Sequence, residues 1–378
     1  MKAFKFLHFS DLHLDMPFGS MGRRHEKKEQ RKQDILDVFD KIISIAEEMK
    51  VDAILIGGDL YEHQYVRKST IDYINLRFSK IPNIKVFIVP GNHDPYIQNS
   101  YYKNYIWSNN VIILSVDNPY AVLEDLMVCV HGIGFNSFYE EKAILTSLRQ
   151  VDKEYINILL MHGTVDMNFT MNKYNPVSSD ELAVLDMDYI AAGHFHSRID
   201  DLGGKKVIYN PGSPEPLGFD EEGEHGVYLC KAEWNNEFDK SLEISFIRTG
   251  KRAYSTLEVG VDGLYDDRQT IEKIIDETSN VDRENLLLHV ILRGYVEPGY
   301  SINKDRIEKE ISNMFFMLKI DDETLSAYDY YEMATQPGLK GLFTAKMLSK
   351  ISNAQSEKEI YLLKKALQYG IEALEDRL

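Results

Sequence analysis

The sequence predicts a mixed α/β (α+β) fold: a four-layer sandwich of two packed mixed β-sheets flanked by helices, then a small C-terminal α/β cap and a helical tail. Three observations lead there. Strand-like and helix-like periodicities alternate up to Val89, closely spaced strand-like runs follow Trp107, and two amphipathic stripes occupy the C-terminal end.

Lys5 to Ser10 reads as a strand. Ile35, Leu36, Phe39, Ile42, Ile43, Ile45 and Ala46 recur at helical spacing and predict a long amphipathic helix. Ala53 to Gly57 is a buried strand, residues 69–79 a helix, and Lys85 to Val89 a third strand. This β-α-β-α-β order implies adjacent parallel strands joined by crossover helices. Further strands are expected at Val111 to Leu114, Leu126 to His131, Ile156 to Met161, Tyr189 to Ala192, Lys206 to Tyr209, Gly226 to Ala232 and Leu242 to Ile247. Short turns such as Leu202 to Lys205 suggest antiparallel hairpins. So many strands, with helices at either end of the run, favour two stacked sheets.

A boundary near Thr249 to Ala253 separates residues 1–253 from an α/β cap at 254–325. The cap has strands at Thr256 to Val259 and Leu286 to Leu292, and helices at 267–278 and 304–314. Residues 326–378 read as a helical hairpin. One stripe is Leu339, Leu342, Phe343, Met347 and Ile351; the other is Ile360, Leu363, Leu367, Ile371 and Leu374. Ser356 and Glu359 between them resemble a capping box.

At 378 residues and 44% hydrophobic, the chain can build one large core and a smaller domain. Its net charge of −17 argues against indiscriminate binding of nucleic acid. One positive cluster, Arg23-Arg24-His25-Glu26-Lys27-Lys28-Glu29-Gln30-Arg31-Lys32, reads either as a solvated loop and helix turn or as a contact surface for phosphates. Cys129 and Cys230 lie in apolar runs and read as buried thiols, which fits a reducing cytosol. No leader and no membrane-spanning run is visible, so the expected location is cytoplasmic.

Five segments carry the chemistry: Asp11-Leu12-His13, Gly58-Asp59, Gly91-Asn92-His93-Asp94, Met161-His162-Gly163 and Gly193-His194-Phe195-His196. Most follow an apolar run, so their polar residues should sit where strands end. Carboxylate oxygen and imidazole nitrogen without clustered thiols suit divalent cations of the Mn²⁺ class. In an extended strand end, residues i and i+2 point the same way, which lets Asp11 and His13, or His194 and His196, face one cavity. Asp59 has two oxygens and can bridge two ions about 3.5–4 Å apart. Asn92 adds a neutral oxygen. A water shared by two such cations becomes a hydroxide nucleophile, so the set predicts hydrolysis of a phosphate ester. His93, next to Asn92, is placed to protonate the leaving alkoxide. Asp94 can orient it or cap a turn. His8, His25, His63, His131, His225 and His289 read as packed or solvated residues.

This ordered set resembles the calcineurin-like metallophosphoesterase superfamily over roughly the first two-thirds of the chain. Asn210-Pro211-Gly212-Ser213-Pro214-Glu215 is similar to a turn of the SbcD-like branch of DNA repair nucleases, and Leu339-Lys340-Gly341-Leu342-Phe343 with the helices after it resembles YhaO-type members. The resemblance implies that Asp11, His13 and His196 hold one ion, that Asn92, His162 and His194 hold the other, and that Asp59 lies between them. It implies that His93 stands beside the leaving-group oxygen without binding metal. Some nuclease members carry a histidine three positions after the bridging aspartate; here that residue is Glu62, with His63 next.

The first functional expectation is a metal-dependent DNA repair exonuclease or endonuclease subunit with two divalent ions, Mn²⁺ before Fe, Zn or Mg. Arg23 and Arg24 are the candidate substrate contacts, and the aromatic run Tyr101 to Trp107 offers rings that could stack on bases. The alternative is a phosphatase or phosphodiesterase of small molecules, nucleotides or phosphoproteins. Expected partners are DNA, an SMC-like coiled-coil ATPase docked through the C-terminal helices, and a second copy in a homodimer, with no membrane.

Overall fold

The structure, a computed structural model, describes residues 1–142, 148, 152–167 and 174–375. It falls into two compact units, Met1–Ala253 and Tyr254–Leu378.

The first unit runs β1 (Lys2–Phe9), α1 (His25–Glu48), β2 (Ala53–Ile56), α2 (Lys68–Ser79), β3 (Lys85–Ile88), α3 (Tyr101–Asn104), β4 (Val111–Ile113) and β5 (Tyr120–Leu123). It continues with β6 (Val128–Ile133), β7 (Ile156–His162), α4 (Ser179–Ala183), β8 (Tyr189–Gly193), β9 (Ile208–Tyr209), β10 (Gly226–Trp234) and β11 (Lys240–Arg248). One sheet has the order β11-β10-β1-β2-β3-β4, the other β5-β6-β7-β8-β9. The main core lies between them: Phe4 and Phe6 of β1, Leu55 of β2 and Trp234 of β10 meet Val130, Ile158 and Leu160 of the second sheet. Strands covered on both faces need apolar residues at successive positions, which is why β2 and β7 are buried throughout.

The β-α-β-α-β opening is present, with β1, β2, β3 and β4 pairing in parallel. The expected hairpins are present in part: β5 pairs antiparallel with β6 and β10 with β11, and β10 also lies antiparallel to β1. β6 through β9 pair in parallel. The glycines at 203 and 204 make a local turn, but that turn belongs to a longer crossover between parallel strands. Parallel neighbours leave several strand C-termini on one edge of each sheet, where a site can be assembled.

The second unit contains β12 (Ala253–Gly260), α5 (Asp267–Glu277), β13 (Leu286–Arg293), β14 (Tyr295–Val296), α6 (Lys304–Ile311), β15 (Met317–Asp322), β16 (Leu325–Ser326), α7 (Tyr330–Thr335), α8 (Leu339–Ser352) and α9 (Glu357–Leu374). Ile274 of α5 and Ile307 of α6 pack on Leu288, Val290 and Ile320 of the β12-β13-β15 sheet. Helices α8 and α9 meet through Met347, Leu367 and Ile371. They approach closely because a Cβ at Gly370 would lie 2.3 Å from the Phe343 ring. Ser356 caps α9 by accepting from the Glu359 backbone, while the Glu359 carboxylate takes the Gln355 N–H and so closes a variant of the expected box. No helix among the described residues is long and apolar enough to cross a membrane.

Within the basic cluster, Arg31 is fully buried, contrary to a wholly solvated or phosphate-facing run. Its guanidinium bonds Glu215, Asp34 and the Pro216 carbonyl, and Arg252 adds a second guanidinium on Asp34 at 2.8 Å. Glu215 closes the Asn210–Glu215 turn, so this network ties α1 to the segment after the last ligands. Burial opposes ionisation of Asp34, but hydrogen bonds from Arg252 and Lys251 outweigh it and pull its carboxyl down to about 2. A folded pKa below the unfolded value stabilises the fold above the unfolded pKa, and that contribution is lost as pH falls through the folded one. The urea midpoint should therefore decline between about pH 4 and pH 2, and Asp34→Asn should flatten that slope while lowering stability at neutral pH.

Candidate metal centre

The backbone ladder between β1 and β2 continues past both strands. Asp11 N–H donates to the Gly58 carbonyl at 3.1 Å, His13 N–H to Asp59 at 3.0 Å and Leu14 N–H to Leu60 at 3.0 Å. The first two motif loops are thereby zipped side by side. Their side chains do not converge by extended alternation. Asp11, His13 and Asp59 have φ of 56°, 49° and 50°, and His194 has φ of 100°. Left-handed backbone at non-glycine residues is costly, and it concentrates where surrounding structure enforces it at functional sites.

Glycines allow the loops to close in. A Cβ at Gly193 would stand 2.1 Å from the Gly57 carbonyl oxygen, joining the ends of β8 and β2 from opposite sheets. One at Gly91 would meet Asp59 Oδ1 at 2.1 Å, and one at Gly58, whose φ is +90°, would meet His162 Nδ1 at 2.5 Å. Asp94 locks this region. Its carboxylate accepts from the N–H groups of Gly91 (2.6 Å), Asp59 (3.1 Å) and Leu60 (2.7 Å) and from the Tyr102 hydroxyl (2.6 Å). Asp94 therefore fixes the two loops and not the His93 ring; of the two roles open in the sequence, the turn-fixing one describes these contacts.

All seven expected donors come together. His13 Nε2 lies 3.2 Å from His196 Nε2, and His196 Nε2 lies 3.9 Å from Asp11 Oδ1. On the other side, Asn92 Oδ1 is 3.0 Å from His162 Nε2 and 3.1 Å from His194 Nδ1. Asp59 Oδ2 sits between the groups, 3.6 Å from His13 Nε2 and 3.3 Å from His162 Nε2. Polar atoms so close, and mostly buried, repel or compete unless a cation lies among them. The donor set of imidazole nitrogens, carboxylates and one amide fits first-row divalent ions.

Outer contacts fix which nitrogen faces inward. His13 Nδ1 bonds Glu62 at 2.8 Å, His196 Nδ1 bonds Glu221 at 2.7 Å, and His162 Nδ1 donates to the Gly57 carbonyl at 2.6 Å. Each leaves Nε2 for a cation, the arrangement that orients metal-binding histidines. His194 instead presents Nδ1. Glu221 is held by the Ser213 hydroxyl and the Leu217 N–H, and Ser213 N–H donates to the His196 carbonyl, so the Pro-Gly-Ser-Pro turn buttresses the last ligand. Glu62 and Glu221 have no motif spacing of their own. Only the departure at position 62 marked one of them.

Burial opposes charge on His162 and His196, yet Asp59 for the first and Glu221 with Asp11 for the second raise both to about 9. Burial and the neighbouring imidazoles push His194 down to about 3. Asp59 is held well below the usual carboxylate range because His162 and His13 outweigh its burial.

His93 stands apart from the donors. Its N–H anchors Asp59 Oδ1 at 2.8 Å, its ring Nδ1 bonds the second oxygen of Glu62 at 3.0 Å, and its side chain is 45% exposed. Burial disfavours its charge, but Glu62 and Asp59 raise it to about 9. Arg23 and Arg24 lie exposed on the turn into α1, outside the ligand cluster. The Tyr101–Trp107 run packs largely on itself: Tyr102 is buried against Trp107, whose indole N–H donates to the Tyr101 carbonyl.

Residues 4–198, just over half of the chain, match the model of the family described as calcineurin-like phosphoesterase. The chain belongs to that family. This phosphoesterase is 26% identical over 355 residues to the DNA double-strand break repair protein Mre11 of Saccharolobus solfataricus, covering 87% of this chain and 83% of that protein. It is 24% identical to the protein of the same name from Methanocaldococcus jannaschii, over 94% of this chain and 96% of that one. It is 28% identical to the uncharacterized metallophosphoesterase YhaO of Bacillus subtilis over 59% of this chain and 56% of that protein. Calcineurin-like phosphoesterases use a dinuclear metal site, and the cluster is the candidate for it here.

Two outcomes follow for metal binding. Glu62→Gln should weaken affinity roughly 10–100-fold, the usual cost of losing a carboxylate behind a ligating histidine, read by calorimetric titration. Protons on His162 and His196 must leave before either ring ligates, so affinity for Mn²⁺ should rise from pH 6 to pH 9 with proton release, visible as a buffer-dependent heat.

Proposed function

We propose that this phosphoesterase is a Mn²⁺-dependent phosphodiesterase acting on DNA, a repair exonuclease or endonuclease subunit. Asp11, His13 and His196 would hold one cation, Asn92, His162 and His194 the other, with Asp59 between the two groups. Bound there, the two ions supply Lewis acidity to the phosphate and an acidified water for in-line attack.

The observation that carries the reading is the placement of His93. It is the one imidazole of the five motif histidines turned toward solvent beside the cluster, and Glu62 secures its Nδ1 while leaving Nε2 for substrate. A leaving alkoxide is a strong base and departs from an unactivated diester only if protonated. A ring charged at neutral pH and exposed enough to regain its proton from water suits that task. The relatives named for double-strand break repair support DNA as the substrate. Arg23 and Arg24, exposed on the turn into α1, would be outlying phosphate contacts, and the cytoplasm the location. A second reading, hydrolysis of small phosphate esters, nucleotides or phosphoproteins, is favoured by one feature: the described wall of the cleft beside His93 contains no Lys or Arg. The helical tail extends the first reading to a coiled-coil ATPase partner, since Leu339, Leu342 and Leu362 are more than half exposed on α8 and α9.

His93→Ala should retain metal and lose about 10²–10⁴-fold in kcat on unactivated DNA diesters. Asp59→Asn and His162→Ala should instead lose metal by elemental analysis. Strand-resolved cleavage of supercoiled and linear single-stranded DNA, set against p-nitrophenyl esters in Mn²⁺, tests the substrate; turnover of the esters alone would overturn the nuclease reading. Leu342→Glu with Leu362→Glu should abolish binding of a coiled-coil ATPase fragment and spare ester hydrolysis.

A further inference from the structure

A cavity of about 280 Å³ opens beside Asn92 and His93, the side on which the proposed role of His93 places the leaving group. Four aromatic residues line it: Tyr65, Phe138, Tyr139 and Tyr174. Tyr139 and Tyr65 are 61% and 53% exposed, so their rings are open to an incoming group. Tyr174 stacks on His194 at 5.2 Å and meets Tyr139 at 6.0 Å, so an aromatic wall continues outward from a metal-ligand ring. Phe138 lies against His63 at 6.0 Å. The polar groups on the described wall are Gln64, Glu62, the two motif residues and the hydroxyls of the three tyrosines. Both oxygens of Glu62 are engaged, one by His13 and one by His93.

We propose that this cavity is a nucleobase subsite that receives the base of the leaving nucleotide. The proposal rests on the phosphodiesterase reading above. With no Lys or Arg in the described lining, the cavity does not suit a second phosphate; it suits an uncharged planar group. Every base has a π-face that stacks on such rings whatever its sequence, and the Gln64 amide offers a donor and an acceptor to a base edge. Its volume lies just below the range of small-ligand pockets, about 300–1,000 Å³, a size that suits a single base and not a longer stretch of substrate. A base enters only when unpaired, so duplex substrates must fray or extrude the nucleotide before cleavage.

The test uses the Mn²⁺-loaded full-length enzyme and its Phe138→Ala and Tyr139→Ala variants, neither of which alters a donor or His93. Replacing the leaving nucleotide of a single-stranded oligonucleotide by an abasic analogue should lower kcat/KM about tenfold in the parent and leave the variants nearly unchanged. Adenosine, and not ribose, should compete with bis(p-nitrophenyl) phosphate hydrolysis, and the variants should lose that competition. Cleavage of DNA with no dependence on the leaving base would overturn the subsite and leave the nuclease reading intact. Competition by adenosine in an enzyme that cuts no DNA would overturn the nuclease reading and support the subsite. Equal, weak effects of adenosine and ribose in parent and variants would overturn the subsite.

Discussion

Everything in the first unit depends on how closely the ends of two separate sheets can approach. The end of β2 and the end of β8 touch through Gly57 and Gly193, where a single methyl group would overlap a carbonyl oxygen. That contact sets the distance between the loop carrying Asp59 and the loop carrying His194 and His196. Hydrophobic burial between the sheets supplies the force that presses them together, but burial is non-directional and would accept a looser seat. The absence of side chains at 57, 58, 91 and 193 makes the tight seat available. The left-handed residues Asp11, His13 and Asp59 then turn their side chains into the gap.

A second constraint is electrical. Four imidazoles, one amide and two carboxylates crowd within a few ångströms, an interior held together by protons or by cations. The surrounding groups divide this burden. Glu62 and Glu221 each take a ring proton, and Asp94 spends its oxygens on backbone N–H groups and a tyrosine. Glu62 has a further part because its two oxygens reach different rings, one in the ligand cluster and one at the open cleft. In the proposed mechanism, metal binding and proton delivery would share a single side chain, and changes at positions 13, 62 and 93 should combine non-additively.

Much of this was legible in the sequence because apolar runs ending in polar, glycine-rich motifs repeat five times. Strands β1, β2, β3 and β7 are buried over most or all of their length, and their expected and observed positions agree to within a few residues. Helix α1 was expected from its apolar stripe at 35–46 but begins ten residues earlier, at His25, where the charged cluster carries no such stripe. Strand β5 was not legible, since Tyr120 to Leu123 is a short, partly exposed edge with weak alternation. The parallel pairing of β8 with β9 was hidden by a local glycine turn whose neighbours lie far apart in sequence. At the site, the convergence of the seven donors could be expected, but not the means. Asp and His tolerate positive φ better than most residues, but their type alone does not single out positions 11 and 13, and Glu221, 25 residues beyond His196, follows no spacing rule. Arg31 looked like any other member of a basic run, because burial of one charge among ten residues depends on partners 184 positions away.

The central place of β1 has a consequence for synthesis. It pairs with β2 on one side and with β10, more than two hundred residues later, on the other. A nascent chain emerging from the ribosome therefore presents β1 as an unpaired edge through most of translation, and Arg31 waits as long for Glu215. A fragment stopping at residue 198, where the family match ends, would include every motif yet keep that edge bare, the state in which strands recruit strangers.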